Sequence, residues 1–307
     1  MMAFKSGFIA IVGRPNAGKS TLVNTLVGRK VAIVSPKPQT TRNRIQGIVN
    51  REDAQIVLID TPGIHRAGNA LSRQMMTEAK QAIDEIDVLS LIVDAVVDFG
   101  ANDRSALDWI AQFHGPVFLL LNKVDRIPKE KLLPLIDRYR SLRDFAEIVP
   151  ISALTGDGLP DLVKTWTSYL PEHPAYFPAD QFTDQPERFL ASELIREKLI
   201  GATHEELPAS VAVAIDTFEE SDKLVRIRAT IYVEREGQKG IVIGKRGEML
   251  KKVGTEARIE IEGLLGVKVF LELFVKVQAN WRQKSGMVRQ LDWHHQLEQL
   301  SGDDTEE

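Results

Sequence analysis

Residues 13–20 read Gly-Arg-Pro-Asn-Ala-Gly-Lys-Ser, an octapeptide that meets every fixed position of the phosphate-binding loop pattern GxxxxGK[ST]. The pattern constrains the fold because such a loop works only between a buried strand and the first turn of a helix. Both flanks are present: Phe8-Ile9-Ala10-Ile11-Val12 is a short apolar run, and Thr21 to Val27 places its apolar residues at helical spacing. Glycines let the backbone wrap around phosphate oxygens, while successive N–H groups and the positive helix end act as donors. Lys19 adds a point charge for the outer phosphates. The Ser20 hydroxyl suits Mg²⁺, which prefers waters, substrate phosphates and one or two protein oxygens. The candidate nucleotide contacts therefore open with Gly13, Arg14, Pro15, Asn16, Ala17, Gly18, Lys19, Ser20 and Thr21.

At 307 residues the chain exceeds one average domain, and 43% hydrophobic residues suffice for two cores. A net charge of -4 argues against a protein that coats nucleic acid non-specifically. Cysteine is absent, which excludes disulfides, thiol nucleophiles and Cys-type zinc sites. The phosphate loop begins too early for a signal peptide to precede it, and no 18 apolar residues run together, so no membrane span is expected.

Through about Leu170, short apolar runs alternate with amphipathic stretches, the pattern of an α/β domain with a mostly parallel sheet and helices on both faces. Strands are expected at 8–12, 45–50, 55–60, 87–94, 116–122 and 147–150, and helices at 18–27, 70–84, 102–112, 131–141 and 158–169. The loop 29–44 is basic and holds Thr40-Thr41. A threonine there is placed to reach Mg²⁺ and the γ-phosphate in the triphosphate state, with Thr41 favoured over Thr40. Ile56 to Ile59 leads into Asp60-Thr61-Pro62-Gly63, so a carboxylate leaves a buried strand end where it can hold the metal through water, and the Gly63 N–H can sense the γ-phosphate. Val117 to Leu121 delivers Asn122-Lys123-Val124-Asp125. The Asp125 carboxylate matches the two donors of a guanine edge, which adenine lacks. Ser152-Ala153-Leu154 follows another apolar run, where a backbone N–H can meet the guanine carbonyl. All these elements end apolar runs, as expected where open α/β sheets bind ligands.

GRPNAGKS, DTPG, NKVD and SAL, with the threonine pair, resemble the five-element signature of translation-factor-type GTPases. The resemblance implies roles for Lys19, Asn16 and Gly63 in hydrolysis and for Ser20, Thr41 and Asp60 at Mg²⁺. Ile64 stands where Ras-like enzymes carry a water-orienting glutamine, so the chain is similar to GTPases with a hydrophobic residue there. In relatives of that group an asparagine matching Asn16 helps to bind K⁺, which makes K⁺ a second implied cofactor.

Pro171 to Pro178 holds three prolines in eight residues and reads as a semi-rigid linker, placed at 171–186 between a domain at 1–170 and another at 187–290. The second part reads helix, strand, strand, helix, strand: 188–203, 209–218, 224–233 with Arg226 and Arg228 on one face, 248–263 and 267–277. Ile243-Gly244-Lys245-Arg246-Gly247 fits the GXXG loop of an α+β KH domain, which clamps four single-stranded nucleotides. The glycines allow close approach, and Lys245, Arg246 and the nearby Lys251 meet phosphate charge at a helix start. Residues 223–289 carry 15 Lys/Arg against 7 Asp/Glu in a chain that is negative overall. A terminal helix is expected between Trp281 and Leu300, and a disordered acidic tail after it, within an extension at 291–307.

A GTPase half joined to a KH half resembles the Era family, and the resemblance covers the chain to about residue 290. It implies a cytoplasmic, monomeric GTPase that cycles between GTP and GDP. It also implies binding to single-stranded ribosomal RNA near the 3′ end of the small subunit, a role in assembling that subunit, and peripheral association with the inner face of the cell membrane. Other readings of the residues remain. A P-loop kinase shares the first loop but has no use for NKVD. An RNA-binding protein with weak turnover, or a GTPase of tRNA modification or iron uptake, shares the first-half motifs.

Overall fold

The structure is a computed structural model that describes residues 3–37, 40–64, 68–83 and 86–292. The chain forms two compact units: the first holds the residues up to Asp184 apart from 67–74, and the second holds 67–74 together with the residues from Gln185 on.

In the first unit the order is β1 (Lys5–Val12), α1 (Lys19–Val27), β2 (Ile45–Asn50), β3 (Ala54–Asp60), α2 (Ala70–Gln81), β4 (Val88–Asp94), α3 (Ala101–Ile110), β5 (Val117–Asn122), α4 (Leu132–Arg140), β6 (Glu147–Ile151) and α5 (Leu159–Tyr169). The sheet runs β2-β3-β1-β4-β5-β6, parallel except for antiparallel β2. Every residue of β3 and β5 is buried, which is why both read as unbroken apolar runs rather than alternating ones. Register aligns Ile11 with Asp60, Asp94 with Asn122 and Asn122 with Ile151, so the loops that leave the carboxyl ends gather at one edge. Helix α5 is fastened by the buried Trp166, whose Nε1 donates to Ser90 Oγ at 3.1 Å.

The proline-rich segment does more than link. Phe182 O accepts from Ile48 N at 2.9 Å, and Gln55 Oε1 accepts from the Tyr176 and Phe177 N–H groups at 2.8 and 2.9 Å. Thr183 Oγ1 donates to Gln46 O at 2.6 Å. Residues 172–183 thus lie along the first unit, and 181–183 cover the free edge of β2, whose unpaired backbone groups would otherwise be open to another chain.

The second unit comprises α6 (Glu187–Ala202), α7 (Leu207–Ser210), β7 (Ala212–Ser221), β8 (Leu224–Val233), α8 (Glu236–Ile243), α9 (Glu248–Leu265), β9 (Lys268–Val277) and α10 (Ser285–Gln290). Its sheet runs β7-β8-β9, antiparallel then parallel. Leu194, Ile195 and Leu199 of α6 and Val253, Ala257 and Ile261 of α9 close the core over Val225, Ile227 and Ile231. Two readings are corrected here. The apolar run before the GXXG loop is helix α8, because Gln238 Oε1 accepts the Glu234 and Arg235 N–H groups at 2.8 and 3.2 Å and caps it, outweighing the low helix propensity of Gly237 and Gly240. After Trp281 a single 3₁₀ turn precedes the short α10, so the chain is not one helix from 281; residues 293–307, with the expected tail, lie outside the described residues.

Candidate functional site

Ser20, Thr41 and Asp60, expected as metal ligands from three separate segments, meet at the mouth of α1. Ser20 Oγ lies 2.6 Å from Asp60 Oδ2 and 3.0 Å from Thr41 Oγ1, and Thr41 Oγ1 lies 3.4 Å from Asp60 Oδ2. Thr40 is excluded from the cluster, since its Oγ1 donates to Lys37 O. Asp60 is fully buried, and its Oδ1 has no hydrogen-bond partner. An ionised oxygen in that position is costly unless a cation answers it. Three hard oxygen donors around an unanswered carboxylate oxygen fit Mg²⁺.

Lys19, only 6% exposed, folds its ammonium back onto the Gly13 and Arg14 carbonyls at 3.2 Å each. Burial pulls its pKa below the usual lysine range against the opposing effect of Asp60, and burial pushes the Asp60 carboxyl up against the effect of Lys19. Gly18 caps α1 with φ 105, where a Cβ would run into Asn122 Nδ2, so the phosphate loop packs directly against the NKVD loop. A Cβ on Gly63 would sit 2.8 Å from the Pro15 ring.

A cavity of about 210 Å³ lies over the loop, lined by Pro15, Asn16, Gly18, Lys19, Ser20, Thr21, Thr40, Thr41, Gly63, Lys123 and, from the basic loop, Ile33 to Pro36. An adjoining cavity of about 180 Å³ is lined by Gly18, Thr21, Asn122, Lys123, Asp125, Ser152, Ala153 and Leu154. Asn122 organises this second space: its Oδ1 accepts from Ala153 N at 2.9 Å and its Nδ2 donates to Ala17 O at 2.7 Å. Leu154 stands 77% exposed at the rim. Thr61 turns away, donating to Ile11 O at 2.8 Å, and Ile64 is buried in the core with its N–H on Gly13 O, so neither side chain reaches the cavities.

Two carboxylates join the site without any sequence signal. Asp94, at the end of β4, lies 2.6 Å from Lys123 Nζ and 3.7 Å from the Arg14 guanidinium, which also lies 3.6 Å from Asp103. Lys123 Nζ also donates to Asn16 O at 2.9 Å. Arg14 is therefore occupied outside the cavity and supplies no charge to it. The amide nitrogen of Asn16, at φ 64, donates to Pro36 O at 2.7 Å.

In the second unit, Gly244 and Gly247 take φ 73 and 81 with Arg246 at φ 53, between α8 and the start of α9. A Cβ on Gly244 would lie 2.9 Å from Met249 N. Lys245, Arg246 and Lys251 are exposed while Ile243 is half-buried. Ile241, one turn earlier on α8, is also exposed, an apolar neighbour of the loop that the sequence did not single out.

Comparison with known proteins agrees with both halves. The family model described as "50S ribosome-binding GTPase" matches residues 8–123, and the KH domain model matches residues 206–282. GTPase Era of Syntrophus aciditrophicus is 51% identical over 293 residues, 95% of this chain and 96% of that protein. Two crystal structures each superpose with a TM-score of 0.90 at 43% identity, covering 94% of this chain and 99% of theirs. One is a variant of Aquifex aeolicus Era bound to GDP·AlF4⁻, and the other is Era in complex with MgGDPNP and nucleotides 1506–1542 of 16S ribosomal RNA. The chain belongs to the Era family of GTPases, with a GTPase domain followed by a KH domain.

Proposed function

We propose that this chain is a GTP-hydrolysing, RNA-binding switch that takes the 3′ end of small-subunit ribosomal RNA in its KH domain and assists assembly of that subunit. The observation that carries the nucleotide half is the Ser20–Thr41–Asp60 cluster with its unanswered buried oxygen. Thr41 belongs to the loop that the γ-phosphate would order, so the nucleotide state is read by whether this threonine stays in the cluster. For the RNA half, the support is the Era structure with 16S nucleotides, which matches this chain across both domains. The family model naming the 50S ribosome covers only residues 8–123 and speaks for the nucleotide half alone.

Ser20 and Asp60, with Thr41, would hold Mg²⁺, directly or through water; when bound it neutralises charge on the β- and γ-phosphates. Lys19 offers its ammonium to the same oxygens once it leaves the Gly13 and Arg14 carbonyls. Gly63, which lines the same cavity, would offer its N–H to the γ-phosphate. Ile64 is buried and Arg14 is held by carboxylates; the resemblance implies that Asn16 would help to hold a monovalent cation, K⁺, where charge develops. Asp125 reads the guanine edge between Lys123 and Leu154. A cytoplasmic location with peripheral contact at the inner membrane face rests on the family resemblance; no helix among the described residues is long and apolar enough to cross a membrane.

Replacing Asp125 by Asn tests the nucleotide reading. An amide offers a donor where the carboxylate accepted, so hydrolysis should pass from GTP to XTP. Undiminished preference for GTP in that variant contradicts the assignment.

A further inference from the structure

The GXXG loop uses Lys245, Arg246 and Lys251, a small share of the 15 cations in residues 223–289. Several others stand elsewhere, on the sheet. Along β8, Val225, Ile227, Ala229 and Ile231 face the core, so Arg226, Arg228, Thr230 and Tyr232 take the opposite face. On β9 the core takes Val269, Leu271, Leu273 and Val275, and the opposite face presents Phe270 and Phe274 between Lys268, Glu272 and Lys276. Phe270 is 47% and Phe274 49% exposed. A face shaped only for solubility has no use for two half-exposed rings.

The rings do not stand alone. The Arg226 guanidinium lies 5.6 Å from the Phe270 ring centre and that of Arg228 5.9 Å from Phe274. On the β8–β9 strip Arg226, Arg228, Lys268 and Lys276 stand with one carboxylate, Glu272, which lies 3.6 Å from Arg228, while Lys268 at the strand end lies 3.6 Å from Glu262 of α9. The β7 side is different: Glu219 stands opposite Arg226 in the β7–β8 register, and Asp216 accepts from Thr230 Oγ1 at 2.8 Å. Cationic and aromatic groups are thus confined to a lane along β8 and β9, bounded by acids.

We propose that the helix-free face of β8 and β9 is a second RNA-contacting surface, on which unpaired bases stack against Phe270 and Phe274 while Arg226 and Arg228 meet the phosphates. An apolar protein partner would have to desolvate four cations, and an acidic one would leave the rings unused; single-stranded RNA supplies base faces and phosphates together. The inference rests on the RNA reading of the second unit.

Filter binding of the full chain to two single-stranded RNAs from the small-subunit 3′ end tests it, one of about 6 nucleotides that fills only the four-nucleotide GXXG clamp and one of about 24. Arg226→Gln with Arg228→Gln should weaken the longer RNA about fivefold to tenfold and lower its salt slope by about 1.4, roughly 0.7 for each lost phosphate contact, while the shorter RNA binds as before. Equal binding of the longer RNA by parent and variant at low and high salt overturns the proposal, and so does a change in self-association with RNA affinity intact. Lys245→Asp with Arg246→Asp should lose both RNAs; retention of both there would instead overturn the GXXG reading. Cross-linking of the unsubstituted protein to 5-iodouridine RNA needs no variant. Adducts on Phe270 or Phe274 support the second surface, and adducts confined to residues 243–251 contradict it.

Discussion

Lys19 and Asp60 are buried side by side, each with its charged form disfavoured by burial and sustained by the other. Such a pair suits a site whose ligand brings both a metal cation and phosphate oxygens. Lys19→Ala should therefore weaken GTP binding by more than about 100-fold, roughly 2.7 kcal/mol or more, while RNA binding persists. Mant-nucleotide titration checks this, and a Kd near that of the parent contradicts it. Asn16 leads to a second expectation at this scale: hydrolysis faster in K⁺ than in Na⁺ at matched ionic strength, with the difference lost in Asn16→Ala. Equal rates in the two salts would remove the cation from the account. Lys19, Ser20 and Asp60 were legible because each occupies a fixed motif position. Thr41 was legible only as one of a pair: both threonines line the cavity, Thr41 Oγ1 beside Ser20 Oγ and Thr40 Oγ1 on Lys37 O. Arg14 was visible but its use was not, since its partners Asp94 and Asp103 lie far along the chain and match no pattern.

Between elements, Asp94 at the end of β4 ties Lys123 after β5 to Arg14 in the loop after β1. These charges are mostly sheltered from water, so removing the shared carboxylate leaves Lys123 without its ion-pair partner and Arg14 with Asp103 alone. Asp94→Asn should raise the Kd for GDP about tenfold, near 1.4 kcal/mol, mainly through faster dissociation. Stopped-flow release of mant-GDP reads the effect; an unchanged dissociation rate would show that the two loops hold their places without Asp94. Strands of the first unit were readable because buried parallel strands are continuous apolar runs bounded by motif residues. Helix α8 was not, because its glycines and its Ile-Val-Ile run imitate a strand and its cap comes from Gln238 reaching back to Glu234 and Arg235. The covering of β2 by residues 181–183 was hidden for a similar reason: prolines announce an extended chain but not the edge that it will follow.

For the whole molecule, the sequence motifs specify two domains of different chemistry, one selecting guanine nucleotide and one gripping single-stranded RNA. What joins them functionally is the identity of the RNA. Cross-linking the intact chain, loaded with Mg²⁺ and a non-hydrolysable GTP analogue, to total cellular RNA and sequencing the bound fragments addresses this directly. The fragments should concentrate at the 3′ end of small-subunit ribosomal RNA and vanish when Lys245 and Arg246 are both replaced by Asp; fragments drawn mainly from transfer RNA, or a pattern indifferent to that replacement, would contradict the account.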